Sequence, residues 1–151
     1  MTYIAADTSL TDSASRLRMA IVRTSRRLRQ EAAGAVGELT PTAAAALATV
    51  ERHGPLTPSE LAEIERVKRP TATRTLRVLD EAGLVERAPD PEDGRSALVS
   101  ITAVGRERLR RLRGRKNAYL ARRMRDLPTE DLETLDRAAE VLERILEDER
   151  R

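Results

Sequence analysis

The sequence predicts a mainly α-helical fold with one small β-hairpin, arranged as a helix-turn-helix motif between long N- and C-terminal helices. Three observations carry this prediction. Apolar residues recur at helical spacing through most of the chain. Two short helices between residues 56 and 84 have clear start and stop signals, and a turn-rich segment at 89–96 separates two short apolar runs. With 151 residues, a single domain spanning residues 1–151 is expected.

Composition restricts the class of protein. The chain has two Tyr, no Phe, no Trp and no Cys, so its core must come from helices packed through Leu, Val, Ile and Ala. The lack of Cys excludes a disulfide scaffold, a zinc-thiolate site and thiol-based redox sensing within this chain. No apolar run reaches the ~18 residues of a membrane span, and Met1 to Ser9 do not resemble a signal peptide. We therefore expect a cytoplasmic protein with no membrane partner.

The N-terminal helix is expected to begin after Thr11 or Asp12 and to end near Gly34 and Gly37. Its seam has the 4-3-4-3-4 spacing of a coiled coil and consists of Leu10, Ala14, Leu17, Ile21, Thr24 and Leu28. Between or directly after these positions lie six arginines: Arg16, Arg18, Arg23, Arg26, Arg27 and Arg29. The pattern predicts a dimerisation helix over residues 10–34.

A second helix is predicted to start at Thr40-Pro41 and to end at Gly54. Its alanines, within Ala43 to Ala48, favour close helix packing, although they would also leave room for a cavity. His53, near the helix end, suits the helix dipole and is interpreted as structural.

The helix-turn-helix begins with a capping box, in which Thr57 caps the Glu60 amide and Glu60 reaches back. Pro58 fits the first helical turn, Leu56 and Leu61 stand at the staple positions, and the helix should end near Glu65.

The second helix of the motif follows a bend at residues 66–68. Ala72, Leu76 and Leu79 share one stripe, while Thr73, Arg74 and Arg77 fall on the opposite side. Arg and Thr are suited to contact base edges and phosphates. Gly83 is predicted to end this helix as a left-handed cap, with Leu84 packing back on Leu79.

Two short strands, Leu84–Ala88 and Ala97–Ile101, are predicted to form a hairpin around the turn-rich segment 89–96. Thr102 then caps a long helix that runs to about Arg125 and is densely basic. A final acidic helix should start at Thr129, with a 3-4-3-4 seam at Leu132, Leu135, Ala139, Leu142 and Leu146. The arginines of the long helix have three open interpretations: a solvated face, a phosphate-contacting surface, or the counter-charge of the acidic helix.

This order of features resembles the MarR family of winged-helix transcription regulators. The likeness is most specific at Asp93-Gly94-Arg95 and the following strand and capping Thr102, and it extends to the flanking helices. It implies that the second helix of the motif enters a DNA major groove and that Arg95 reaches a minor groove, steadied by Asp93. It also implies release from DNA by a small aromatic or anionic effector. Lys68 departs from the family, which often has a small hydroxyl residue there, and leaves the helix start open by one or two residues.

The sequence therefore predicts a transcription regulator, a repressor, that binds double-stranded DNA at a pseudo-palindromic operator as a homodimer. The winged helix-turn-helix is expected at residues 40–102, and dimerisation helices at 10–34 and 103–149. The residues expected to contact DNA are Lys68, Arg69, Pro70, Thr71, Thr73, Arg74, Arg77, Asp93 and Arg95. Catalytic residues, metals and cofactors are not expected, because the chain has one His, no Cys and no Gly-rich phosphate loop. The effector site is unknown; Ala43–Ala48, Arg113 and Arg115 are the first place to look.

Plainer interpretations stay open. Arg74 and Arg77 would also suit a solvated helix face, and Arg95 a surface turn with Asp93. The rival interpretation is a helical interaction protein or an architectural protein that binds DNA without sequence choice. Charge does not decide between them, since the net charge is only +3.

Overall fold

A computed structural model describes residues 2–32 and 39–148, and side chains within 9–32 and 39–147. In these ranges the chain forms six helices and two strands in the following order: α1 (Thr2–Ala32), α2 (Pro41–His53), α3 (Pro58–Ile64), α4 (Arg69–Glu81), β1 (Val85–Pro89), β2 (Ala97–Ile101), α5 (Ala103–Met124) and α6 (Thr129–Asp148). The predicted mainly α-helical fold with a hairpin is confirmed.

The chain divides into two compact units, residues 1–116 and 117–151. The core of the first unit lies between α2, α3, α4, the hairpin and the first half of α5. Its largest fully buried side chains are Leu47, Val50, Leu61, Leu76, Leu79, Leu84 and Val99. Leu and Val therefore fill the core without any aromatic ring, as composition predicted.

Helix α1 is longer than expected, since it begins at Thr2 rather than after Thr11 or Asp12. Residues 2–32 contain neither Gly nor Pro, so nothing in this stretch forces the helix to break. Asp12 is an interior residue and not a cap. The helix ends at Ala32, and the expected ends at Gly34 and Gly37 lie outside the described residues.

Helix α2 has the predicted bounds, with the Thr40 hydroxyl accepting a hydrogen bond from the Ala43 amide at 3.2 Å. Ala43, Ala46 and Leu47 are buried, which confirms close packing for this face of the helix.

The hairpin is antiparallel, and Val85 pairs with Ile101 while Arg87 pairs with Val99. Strand β1 starts at Val85 rather than Leu84, because the Leu84 amide donates to the Leu79 carbonyl at 2.9 Å and closes the end of α4. Leu56 exchanges two backbone hydrogen bonds with Val99, at 3.1 and 2.8 Å. The chain entering α3 is thereby fixed to the hairpin.

In the second unit, α6 begins at Thr129, as predicted. Leu135 and Leu146 of its seam are 45% and 62% exposed. On α1, in the first unit, Leu10, Leu17 and Ile21 are also exposed. Within the described part of one chain both seams are therefore largely exposed, and only Leu28, Leu132 and Leu142 are half-buried.

Candidate DNA-binding surface

The helix-turn-helix is held in place by contacts at both ends of α3. The Glu60 carboxylate accepts from the Thr57 amide at 2.7 Å, and the Glu60 amide donates to the Thr57 hydroxyl at 3.2 Å, so the predicted capping box is present. At the other end, the Glu65 carboxylate accepts a hydrogen bond from the Thr49 hydroxyl of α2. The capping box sets the start of α3, and the bond from Thr49 joins its end to α2. The turn that leads to α4 therefore begins at a fixed position.

The turn between α3 and α4 reverses the chain at Arg66, whose φ of 52° lies in the left-handed region. The Val67 amide donates to the Ala62 carbonyl at 3.0 Å. Helix α4 then starts at Arg69 with Lys68 as its N-cap, and the Lys68 side chain makes no capping bond. The start left open by the sequence is thus settled, and Pro70 lies in the first turn, where it needs no amide hydrogen.

Helix α4 has a fully buried face and an exposed basic face. Ala72, Leu76 and Leu79 are buried in the core, whereas the opposite side chains line a shallow surface groove of about 450 Å³. The groove residues are Arg69, Pro70, Thr73, Arg74 and Arg77. Lys68 and Thr71 are exposed beside the groove.

The C-terminal end of α4 is closed as the sequence predicted. Gly83 has a φ of 69°, and its amide donates to the Asp80 carbonyl at 2.9 Å. Together with the bond from Leu84 to Leu79, this forms a Schellman motif. The last turn of α4 is therefore rigidly connected to the hairpin.

Asp93 and Arg95 lie in the exposed loop between β1 and β2. An oxygen of the Asp93 carboxylate accepts from the Arg95 backbone amide at 3.0 Å. Asp90 accepts from the Glu92 amide at 2.9 Å in the same loop. Asp93 thus accepts a hydrogen bond from the main chain of Arg95 and shapes the loop, and the Arg95 side chain is exposed.

Most cations of this surface are available to a ligand. Arg77 lies 3.8 Å from Glu81, a long and exposed pair that contributes little to stability. Within residues 39–148, Arg69, Arg74 and Arg95 have no carboxylate at ion-pair distance. Three such guanidinium groups at the protein surface suit the binding of a polyanion.

A family model described as the MarR family matches residues 38–96, which contain the helix-turn-helix and the start of the hairpin. An HTH-type transcriptional regulator of Mycobacterium tuberculosis is 36% identical over 129 residues, 85% of this chain and 89% of that protein. The chain belongs to the MarR family.

Two other comparisons also find proteins described as transcription regulators. The HTH-type transcriptional repressor IacR of Pseudomonas putida is 32% identical over 93 residues, 62% of this chain and 56% of that protein. A crystal structure described as a transcriptional regulator from Pseudomonas aeruginosa superposes with a TM-score of 0.77 and 31% identity, covering 88% of this chain and 92% of that one. This MarR-family chain is thus a winged-helix transcription regulator.

One structural residue of this MarR-family chain was missed by sequence reasoning. Gly105, in the first turn of α5, is buried so closely that a Cβ there would lie 2.1 Å from the Leu84 carbonyl oxygen. The Thr102 hydroxyl accepts from the Gly105 amide at 3.1 Å and donates to the Gly83 carbonyl at 2.7 Å. Nothing in the residues around Gly105 signals this close approach, because Leu84 lies 21 positions earlier in the chain.

An open cavity of about 240 Å³ lies in the first unit, between the end of α1, the start of α2 and α5. It is lined by Arg26, Arg29, Gln30, Ala32, Leu39, Pro41, Ala44, Leu112 and Lys116. Of the positions suggested by the sequence, only Ala44 lines it. Arg113 is paired with Glu51 at 2.7 Å, and Arg115 donates to the Ala32 carbonyl at 3.2 Å.

Residues 2–32 and 39–148 contain no cluster of three or more His, Cys, Asp or Glu side chains placed to hold a metal ion. Within the same ranges no helix is both long and apolar enough to cross a membrane.

Proposed function

We propose that this protein is a repressor that binds a pseudo-palindromic operator as a homodimer, with α4 in the major groove and the hairpin loop at the minor groove. The observation that carries this proposal is the exposed basic face of α4. Within the described part of the chain, Arg69 and Arg74 have no ion-pair partner, and their helix is fixed at both ends by the turn at Arg66 and the Gly83 cap. A rigid helix with such guanidinium groups can contact base edges in the groove. IacR, a relative, is a repressor.

The dimer is supported by the uncovered seams of α1 and α6. Leu10 of α1 is 69% exposed, and α1 carries a run of arginines whereas α6 is acidic. Apolar seams bordered by opposite charge are typical of helices that associate. We propose that α1, the end of α5 and α6 form the dimerisation layer, and that half-sites about one helical turn, ~10 bp, apart are read by the two α4 helices.

In vitro selection from random double-stranded DNA, followed by footprinting, tests the proposed function. A repressor of this type should enrich one palindromic sequence and protect one short segment. Enrichment of no sequence, together with broad protection, would overturn the proposal in favour of an architectural DNA-binding protein.

Replacing Arg74 or Arg77 by Ala should weaken binding to the selected operator more than to random DNA. The difference should be ~1–3 kcal/mol for a bidentate contact with guanine. Arg95→Ala should weaken binding to the operator and to random DNA more evenly. The reason is that base pairs differ less in the hydrogen-bonding groups that they present in the minor groove. Fluorescence anisotropy measures these affinities, and Arg52→Ala, which removes an exposed arginine at the end of α2, is the matched control. Equal losses on operator and random DNA for the two α4 variants would contradict a reading role.

We further propose that the 240 Å³ cavity takes a small anionic effector that releases the protein from DNA. Its cations, Arg26, Arg29 and Lys116, surround an apolar lining that includes Leu39 and Leu112. The volume is below the ~300–1,000 Å³ of sites for drug-sized ligands, which favours a small aromatic acid. A ligand there would contact α1, α2 and α5 at once, so it could change the spacing of the two α4 helices in a dimer.

Titration of salicylate-like acids into the protein–operator complex should lower operator affinity, and Lys116→Gln should raise the concentration of acid needed by roughly 10- to 150-fold. The reason is the loss of a charge-assisted hydrogen bond, worth ~1.5–3 kcal/mol. Arg111→Gln, in the same helix but paired with Glu107, is the control and should leave the titration unchanged. An identical shift in both variants, or no response of the parent protein to any of these acids, would contradict the effector site.

A further inference from the structure

Helix α4 has two unlike edges on either side of Arg74. With about 100° of rotation per residue, Arg69, Thr73 and Arg77 fall along one edge, at spacings of four and four. Thr71, Thr75 and Val78 fall along the other edge, at spacings of four and three. We call this second set the methyl edge, because each member carries at least one methyl group. The basic groove of about 450 Å³ includes the first edge but not the methyl edge.

The polar group of Thr75 is already used within the helix. Its hydroxyl donates to the Thr71 carbonyl at 3.0 Å, one turn earlier. The Thr75 hydroxyl therefore has no hydrogen left to donate, and Thr75 offers a ligand its methyl group and an acceptor oxygen. Thr75 is half-buried and Thr71 is exposed, so the methyl edge borders the surface along its whole length.

Packing within the fold does not account for a valine at position 78. Its side chain is 47% exposed, although Leu76 and Leu79 beside it are fully buried. A valine at an exposed helix position also lowers helix propensity relative to Ala or Leu, because its branched side chain is restricted there. Neither burial nor helix stability thus accounts for a valine here, next to Arg74 on the face that we place against DNA.

We propose that the methyl edge, and Val78 above all, reads the 5-methyl groups of thymine in the operator. This rests on the proposed function, in which α4 enters a major groove. The thymine methyl is the apolar group that base pairs present in that groove. Val78 lies one helical turn, about 6 Å, from Arg74, and bases follow each other every ~3.4 Å along a strand. The thymine should therefore lie one or two base pairs from the base that Arg74 contacts.

The experiment begins with the site selected in vitro by the parent protein. Each thymine is replaced singly by deoxyuridine, which removes the methyl and nothing else. Affinities of the parent protein and of Val78→Ala are then measured on every duplex. Val104→Ala, which alters an exposed valine at the start of α5, is the matched control.

Deoxyuridine at one or two positions in each half-site should lower the DNA affinity of the parent protein by about fourfold, as expected for one methyl-sized apolar contact. Val78→Ala should bind the thymine operator with roughly four- to tenfold lower affinity than the parent protein. On the duplex that carries deoxyuridine at the contacted position, Val78→Ala and the parent protein should bind nearly equally, because the shared contact is already absent. Val104→Ala should behave as the parent protein on all duplexes.

Two results would overturn the inference while leaving the proposed function in place. The first is a selected operator on which no deoxyuridine substitution changes affinity. The second is a loss of affinity in Val78→Ala that is the same on thymine and deoxyuridine duplexes. A loss of affinity that accompanies dissociation of the dimer in light scattering counts equally, because it would place Val78 at another interface. Failure of the selection to enrich any site would instead overturn the proposed function itself.

Discussion

Replacing Leu135 and Leu142 by Glu is expected to convert the protein to a monomer and to abolish specific DNA binding. Both residues lie on the α6 seam, where Leu135 is 45% exposed in one chain and Leu142 is half-buried. In the proposed dimer, each Glu would be buried among apolar side chains, which costs several kcal/mol per charge. The oligomeric state is measured by light scattering at micromolar concentration.

The loss of operator affinity should be large because it removes the link between two half-sites. Linked binding exceeds the affinity of a single module by ~10²–10⁴-fold. Binding to random DNA should fall much less. The comparison of operator and random DNA therefore separates loss of assembly from loss of charge.

A matched control replaces Arg137 and Arg144 by Gln, which lowers the net charge by the same two units. At 100° per residue these arginines lie on the side of α6 opposite the seam. This variant should remain dimeric and bind the operator. A dimeric Leu135→Glu/Leu142→Glu protein, or equal loss of assembly in the control, would contradict the proposed dimerisation layer.

Gly105→Ala is expected to destabilise the protein, whereas Gly114→Ala in the same helix should stabilise it. A Cβ at Gly105 would lie 2.1 Å from the Leu84 carbonyl oxygen and 2.8 Å from Cγ1 of Ile101. Relieving this overlap requires a backbone shift, and overpacking of this kind typically costs ~1–3 kcal/mol or more. A Cβ at Gly114 meets nothing within 4 Å, so Ala there should gain ~0.5–1 kcal/mol through helix propensity.

Thermal unfolding at one fixed protein concentration measures both changes, since the stability of a dimer depends on concentration. The two melting temperatures should move in opposite directions from that of the parent protein. A rise in melting temperature for Gly105→Ala would show that the start of α5 does not pack tightly against Leu84.

Gly105 also shows a contact that could not be predicted from the sequence. The Thr102 cap was predictable, because a capping hydroxyl acts on amides within three residues of itself. The contact between Gly105 and Leu84 joins residues 21 positions apart. No local periodicity encodes such a distance, so the requirement for glycine could only be seen in the packed structure.

The candidate effector cavity illustrates the same limit. The sequence pointed to Ala43–Ala48, Arg113 and Arg115, but the structure assigns Arg113 to Glu51 and leaves Arg29 and Lys116 beside the cavity. Composition does not show whether an arginine has a carboxylate as ion-pair partner. That depends on which helices pack against each other.

By itself the sequence determined most of the caps, the turn residues and the order of elements, because these follow from interactions within a few residues. The Thr57–Glu60 capping box, the Gly83 end of α4 and the buried stripe Ala72, Leu76 and Leu79 all follow from residue types and their spacing alone. The tertiary structure decided the rest, because burial and pairing are set by residues distant in the chain. It extended α1 back to Thr2, joined Leu56 to Val99, and left Val78 exposed on the face of α4 that we place against DNA.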